Sequence, residues 1–117
     1  MSTNCVLLGW NRAVPGREML SAQHFQEFSE YLGTQQRNGA ITSFDAVFLD
    51  PHGGDMNGFI LIRGEPQKLQ ALLAGDDWLK HQIRGLQNML GFGVIRGGTG
   101  TEVPRRMQMW IETIPKG

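Results

Sequence analysis

"AITSFDAVFLDPHGGDMNGFILIRG", residues 40–64, decides how the chain is read. Its two ends are rich in β-branched and aromatic residues, broken in the first run by Thr42, Ser43 and Asp45. Such residues suit a pleated strand. Between the ends, "PHGGDMNG" (51–58) holds a proline, paired glycines, Asp55 and Asn57. Pro51 restricts Asp50 to extended geometry, and Gly53–Gly54 permit the chain to reverse. The stretch therefore predicts an antiparallel hairpin with a long loop. Asp50, His52 and Asp55 lie close enough in sequence to offer metal-ligating atoms. No fourth ligand is evident, however, and nothing local fixes the imidazole. The expectation is a loop and no metal.

Upstream, "NCVLLGWNRA" (4–13) is apolar at its start, turns polar at Asn11 and reads as a strand ended by Pro15 and Gly16. A helix is expected from about Arg17 to Leu32, because Ala22, Phe25, Phe28 and Leu32 recur at three- and four-residue spacing and Gly33 sits where a cap would. Downstream of the hairpin, Glu65 and Pro66 begin a second helix, with proline in the first turn where its missing N–H costs nothing. Leu69, Leu72 and Leu73 form its face and Gly75 breaks it. Asp76 or Asp77 then starts a further helical piece, in which Leu79, Ile83, Leu86 and Leu90 repeat at spacings of 4, 3 and 4. "GFGVIRGG" (91–98) is a fourth strand bounded by glycines. Val103, Met107, Trp110, Ile111 and Ile114 predict a short amphipathic C-terminal helix, with Thr101 as its N-cap.

The order is β-α-β-β-α-β plus a tail helix. That predicts an α+β, ferredoxin-like domain: a four-stranded antiparallel sheet with two helices on one face, occupying residues 1–117. Both parities of the hairpin strands are apolar. Ile41, Val47 and Leu49 oppose Phe44, Ala46 and Phe48, and Phe59 and Leu61 oppose Ile60 and Ile62. A solvated sheet face would read polar at alternate positions. The face without helices is therefore expected to be buried on a second copy of the chain, making a homodimer.

Composition narrows the function. Lys and Arg number 11 and Asp and Glu number 11 in 117 residues, which argues against a general nucleic-acid surface. No apolar run approaches the roughly 20 residues of a spanning helix, so no membrane role is expected. The start lacks a basic region and a long apolar stretch, and Cys5 is the only cysteine, which rules out an intrachain disulfide or a four-cysteine zinc site. These features predict a reduced, cytoplasmic setting, with Cys5 buried rather than reactive.

In element order and length nearly the whole chain resembles the dimeric α/β-barrel superfamily, most clearly in "FILIRGEPQKLQALLAGDDWLKHQI" (59–83). That superfamily includes antibiotic-biosynthesis monooxygenases and muconolactone isomerases. The resemblance implies two ferredoxin-like subunits packed sheet to sheet, and it leaves the activity open because the fold hosts many chemistries. Its haem-degrading branch uses an Asn on the first strand with a Trp and a His from the later helical region. Asn11, Trp78 and His81 sit in comparable places, although Trp78 and His81 are closer together than in that branch. On a helical wheel His81 lies nearly opposite the Leu79–Ile83–Leu86–Leu90 stripe, so it is expected to face solvent.

Several residues offer chemistry. His24 and Tyr31 lie seven positions apart on one line of the first helix, beside Phe28 and at the edge of its apolar face. His24 reads either as a proton shuttle or ligand in a helix–sheet pocket, or as a half-buried ring covering the core. Trp10, Asn11 and Arg12 end the first strand, and Arg63 ends the third. Either arginine is a carboxylate or enolate anchor, or a side chain snorkelling at a strand end. "RGGTGTE" (96–102) precedes a helix but lacks a P-loop lysine.

The resulting expectation is a homodimer that binds a small, largely apolar organic molecule without a cofactor, acting as a monooxygenase or isomerase. His24, Tyr31 and Arg12 would be its catalytic residues, and Trp10, Asn11, Phe28, Arg63 and Trp78 its ligand-binding ones. The alternatives are a non-catalytic binding or oligomerisation module, and a haem-binding monooxygenase. An enclosed pocket near His24, Tyr31 or Trp10 separates the first two.

Overall fold

A computed structural model describes residues 3–116. Strands β1 (Cys5–Trp10), β3 (Ser43–Phe48), β4 (Gly58–Arg63) and β6 (Gly93–Gly97) form one four-stranded sheet in the order β3-β4-β1-β6, with every pairing antiparallel. Two short strands, β2 (Arg12–Ala13) and β5 (Met89–Leu90), pair beside it. The helices are α1 (Glu18–Arg37), α2 (Pro66–Leu73), α3 (Asp76–Asn88) and α4 (Glu102–Glu112). The architecture is α+β with a four-stranded antiparallel sheet and four helices, consistent with a ferredoxin-like fold. Among the described residues no helix is long and apolar enough to cross a membrane.

The core lies between the sheet and α1–α3. Val6 and Leu8 of β1 and Ile60 and Ile62 of β4 project into it, in register as Val6 opposite Ile62 and Leu8 opposite Ile60. Phe28 and Leu32 of α1, Leu69 of α2 and Trp78 of α3 meet them. The alternate positions point the other way: Leu7 pairs with Leu61 and Ile95, and Val47 with Phe59. Among the described residues the helices pack on the opposite face, and Arg63 and Asp45 form an ion pair toward one end of this one.

Four sequence expectations are corrected here. The first strand is not continuous over residues 4–13. It breaks at Asn11, whose N–H donates to the Leu90 carbonyl, and Arg12–Ala13 leave the main sheet to pair with β5. The hairpin's first strand, expected over 40–50, is confined to Ser43–Phe48. Gly33 does not end α1, which runs on to Arg37. A mid-helix glycine costs only about 1 kcal/mol, and the fully buried Leu32 beside it holds the turn in place. The helix stops instead at Asn38 and at Gly39, whose φ of +83° requires glycine.

The fourth correction concerns the face of α3. Leu79, Ile83 and Leu86 are exposed, while Trp78, Gly85 and Asn88 are buried. Two contacts outweigh the leucine stripe. The Trp78 ring is buried in the core while its Nε1 donates to Gln82 Oε1 at 3.0 Å. Phe92 packs directly on Gly85, where a Cβ would fall 2.6 Å from the Phe92 ring. Helix α4 is different again. Its Glu102 is buried and accepts from Arg105 and Arg106, but residues 103–116 are all exposed and α4 packs broadly on no other element.

Candidate functional site

Helices α1 and α3 cross the sheet side by side and bring His24 and His81 together. His24 Nε2 lies 3.1 Å from His81 Nδ1, the ring planes differ by 8°, and the ring centres are 5.4 Å apart. Two five-membered rings reach that centre separation at that N···N distance only when they lie edge to edge in nearly one plane. The contact is therefore an in-line N–H···N hydrogen bond rather than a face-to-face stack. One imidazole donates and the other accepts, so the bond needs at least one of the two to be neutral.

The surroundings favour neutrality in both. Burial lowers the His24 pKa from 6.5 to about 4, helped by the Arg84 guanidinium and by His81, and opposed by Glu27. Burial and Arg84 also lower His81, against Asp77 and Glu27. Arg84 is itself held by an ion pair to Glu27, which ties α3 to α1 just outside the histidines. The Tyr31 ring sits 4.5 Å from that of His81, and burial followed by Asp77 raises its phenol pKa. Phe28 packs on both imidazoles.

The pair lines a cavity of about 50 Å³ with Leu8, Trp10, Phe25, Phe28 and Ile60 among its walls. One water takes about 10–15 Å³ by this measure, so the nook holds a few non-hydrogen atoms. Trp10, Ser21, Phe25 and Met89 also line a wider, shallow groove of about 330 Å³, whose rim carries Arg12, Glu18 and Phe48. Three rings shape that groove: Phe25 and Phe48 lie 6.3 Å and 6.1 Å from Trp10, edge to face, and 5.2 Å from each other. The Trp10 ring lies over Gly58, its register partner, where any Cβ would fall within 2.6 Å of it.

This arrangement can move a proton. With the shared hydrogen on His24 Nε2, His24 Nδ1 is a free base. A proton accepted there lets the shared hydrogen pass to His81 Nδ1, and His81 Nε2 then releases one. Each ring ends neutral in its other tautomer. Neither outer nitrogen, His24 Nδ1 or His81 Nε2, makes a hydrogen bond among the described residues.

The structure brings together only part of the predicted set. His24, Trp10 and Phe28 line the nook, and Arg12 stands at the rim of the adjoining groove. Tyr31 backs His81 and lines a separate shallow depression with Trp78 and Asp77. Trp78 is a core residue. Asn11 accepts from Asn57 Nδ2 at 2.8 Å and faces an open concavity of about 500 Å³ with Gly9, Met56 and Ile95, outside the histidine cleft. The Asn11–Trp78–His81 trio therefore does not converge. Arg63, 3.0 Å from Asp45, lies opposite Cys5, at the other end of β1 from Trp10. Cys5 is buried.

His81, expected in solvent, is the residue that sequence reasoning misplaced. The signal was Trp78, three positions earlier, and Gly85, four later: an aromatic and a small residue on one line, marking close approach. His52 has a local role. Its Nδ1 accepts from Gly54 N–H at 3.1 Å and its Nε2 donates to the Met56 carbonyl at 2.8 Å, closing the hairpin loop. Among the described residues no group of three or more His, Cys, Asp or Glu side chains is placed to hold a metal ion.

No family model matches the sequence, and no curated protein matches it either. Among solved structures, the chain is similar to the crystal structure of PA3566 from Pseudomonas aeruginosa, at 16% identity and a TM-score of 0.52 over 86% of this chain and 98% of that one. At that identity the likeness speaks for the shared α+β fold alone.

Proposed function

We propose that the chain is a small cytosolic homodimer of the dimeric α/β-barrel type. It binds a largely apolar, planar organic molecule in the helix–sheet groove and moves a proton on it without a metal. The molecule's rings lie among Trp10, Phe25 and Phe48, an anionic or enolate oxygen meets Arg12, and the reacting end enters the nook. His24 takes the proton and His81 carries it outward, as an isomerase or a cofactor-independent monooxygenase requires. The observation that carries this reading is the in-plane His24–His81 hydrogen bond in the wall of an otherwise apolar cavity. The homodimer is supported by the apolar, helix-free sheet face of Leu7, Val47, Phe59, Leu61 and Ile95.

The test is a ¹⁵N-imidazole spectrum titrated with 2-naphthoate, a planar apolar anion. The expected result is movement of the His24 and His81 resonances while His52 stays still, with weaker binding in Arg12→Gln. Unmoved His24 and His81 resonances at millimolar probe refute the cleft reading. A second reading, a non-catalytic binding or oligomerisation module, is favoured by one observation: the nook beside the histidines is partly open and holds only about 50 Å³, against the several hundred Å³ of an ordinary ligand pocket. Binding of the probe without proton exchange on any carbon acid tried would favour that module.

A further inference from the structure

Two helices carry apolar stripes that nothing among the described residues covers, both in alternating steps of 4 and 3. On α3, Leu79, Ile83 and Leu86 stand in steps of 4 and 3 and are 44–58% exposed. On α4, Val103, Met107 and Trp110 continue to Ile114, just beyond that helix end, in steps of 4, 3 and 4, and all are 54–73% exposed. Steps of 4 and 3 make the narrow seam along which two helices interlock side chains at a shallow crossing angle.

The chain as a whole is too extended and too exposed for its size. Its radius of gyration is 16.1 Å, where a compact domain of this length has about 13.4 Å. Its accessible surface is 7786 Å², where a compact monomer of this mass has about 6,400 Å². The excess of about 1,400 Å² is more than the roughly 800 Å² that each partner contributes to a stable interface. Helix α4 contributes to it, because every residue from 103 to 112 is exposed.

The base of α4 is fixed. Asn4 accepts from the Thr99 N–H at 2.8 Å and donates to the Thr99 carbonyl at 3.0 Å, three residues before the helix. So anchored, α4 shares no packed face with α3 of its own chain. Pairing α3 with α3 of another copy would leave the α4 stripe uncovered.

We infer that α4 of one copy docks its 4-3-4 seam on the α3 seam of a second copy, reciprocally about a two-fold axis. This rests on the proposed homodimer only in needing a second copy, and it is independent of whether the sheet faces meet. Its consequence for the cleft is direct. Helix α3 carries His81 on its inner side and the seam on its outer side, so the arm of the second copy would back the helix that positions the histidine pair.

The experiment uses mixed dimers of the full chain. One copy, at natural isotope abundance, carries Cys5→Ala and a nitroxide on Gln108→Cys, an exposed α4 position off the seam; the other is ¹⁵N-labelled and unmodified. The expected result is broadening of the Leu79–Leu86 amides of the ¹⁵N chain. In parallel, Met107→Glu with Trp110→Glu should raise the dimer dissociation constant at least tenfold in sedimentation, with the helical circular dichroism retained because neither residue touches the core. Broadening only when nitroxide and ¹⁵N share a chain shows α4 folded back and overturns the inference. So does an unchanged dissociation constant. Leu61→Lys, on the helix-free sheet face, separates the two readings. Dissociation by Leu61→Lys with no inter-copy broadening refutes the seam and leaves the sheet-face dimer, whereas the reverse pattern upholds the seam and removes the sheet-face dimer. A chain that stays monomeric at all concentrations refutes both.

Discussion

Helices α1 and α3 lie on the same face of the sheet, and both carry apolar residues at helical spacing, yet they use them in opposite ways. In α1 the stripe is the core: Phe28 is 5% exposed and Leu32 is fully buried. In α3 the clearest stripe faces solvent, with Leu79 half exposed and Leu86 more so, while Trp78, His81 and Gly85 turn inward. Apolar periodicity states that a face needs cover. It does not state which neighbour supplies the cover.

The largest effect that can break this contrast is a pair of truncations. Leu32→Ala removes packed methyl groups from a closed core and should cost about 2–5 kcal/mol. Ile83→Ala, on the exposed stripe, should cost no more than about 0.5 kcal/mol when the chain is dilute. Urea unfolding at submicromolar protein measures both. Equal losses would mean that α3 is turned the wrong way. A loss for Ile83→Ala that appears only as concentration rises would mean that another chain covers the stripe.

Much of the architecture was legible because local signals agreed with one another. Pro51, Gly53 and Gly54 marked the hairpin, Glu65 and Pro66 the start of α2, and both places stand as expected; Glu65 accepts from the Gln67 and Lys68 N–H groups. Gly33 misled because a helix-breaking residue is a weak signal beside a fully buried Leu32. The site was half legible. His24 stood at the edge of a stripe that does face the core, so its line pointed correctly. His81 stood opposite a stripe assumed to face the core, so the same wheel put it in water. Its real environment depends on Phe92 folding back on Gly85 after the chain leaves α3, and on Phe28 reaching across from α1, distant in sequence. The pairing of Asn11 with Asn57 is likewise a product of the turn at Asn57 meeting the end of β1, which no local pattern encodes.

The next effect separates the inward side of α3 from its outward side by pH. The unfolded His24 imidazole titrates near 6.5 and the folded one near 4. Between those values the unfolded chain binds a proton that the folded chain does not, so this contribution to stability is complete above about pH 6.5. It is lost as pH falls toward 4, with a slope of at most about 1.4 kcal/mol per pH unit. Unfolding free energies measured from pH 7 to pH 4 should show that slope, and His24→Gln should reduce it, leaving the share due to His81. An unchanged slope in His24→Gln would mean that the imidazole titrates freely and that the pair is not closed in solution.

The smallest effect tests the other uncovered surface. Arg63 and Asp45 meet at 3.0 Å with side chains 40% and 65% exposed, and a pair so well solvated contributes about 0–1 kcal/mol. Asp45→Asn should therefore be close to neutral in a dilute chain. The pair sits on the helix-free face, however, beside Leu61, with which Asp45 is in register. If a second sheet covers that face, Arg63 loses water and needs its carboxylate. Asp45→Asn then leaves a desolvated guanidinium without its ion-pair partner and weakens association by more than it weakens folding. Comparing the variant's unfolding free energy with its dimer dissociation constant separates the cases. A shift in both by the same small amount would place the ion pair in solvent in the assembled protein and the sheet contact elsewhere. A loss confined to association would place it at the rim of an interface, making this weak surface bridge a reporter of which apolar face the second copy covers.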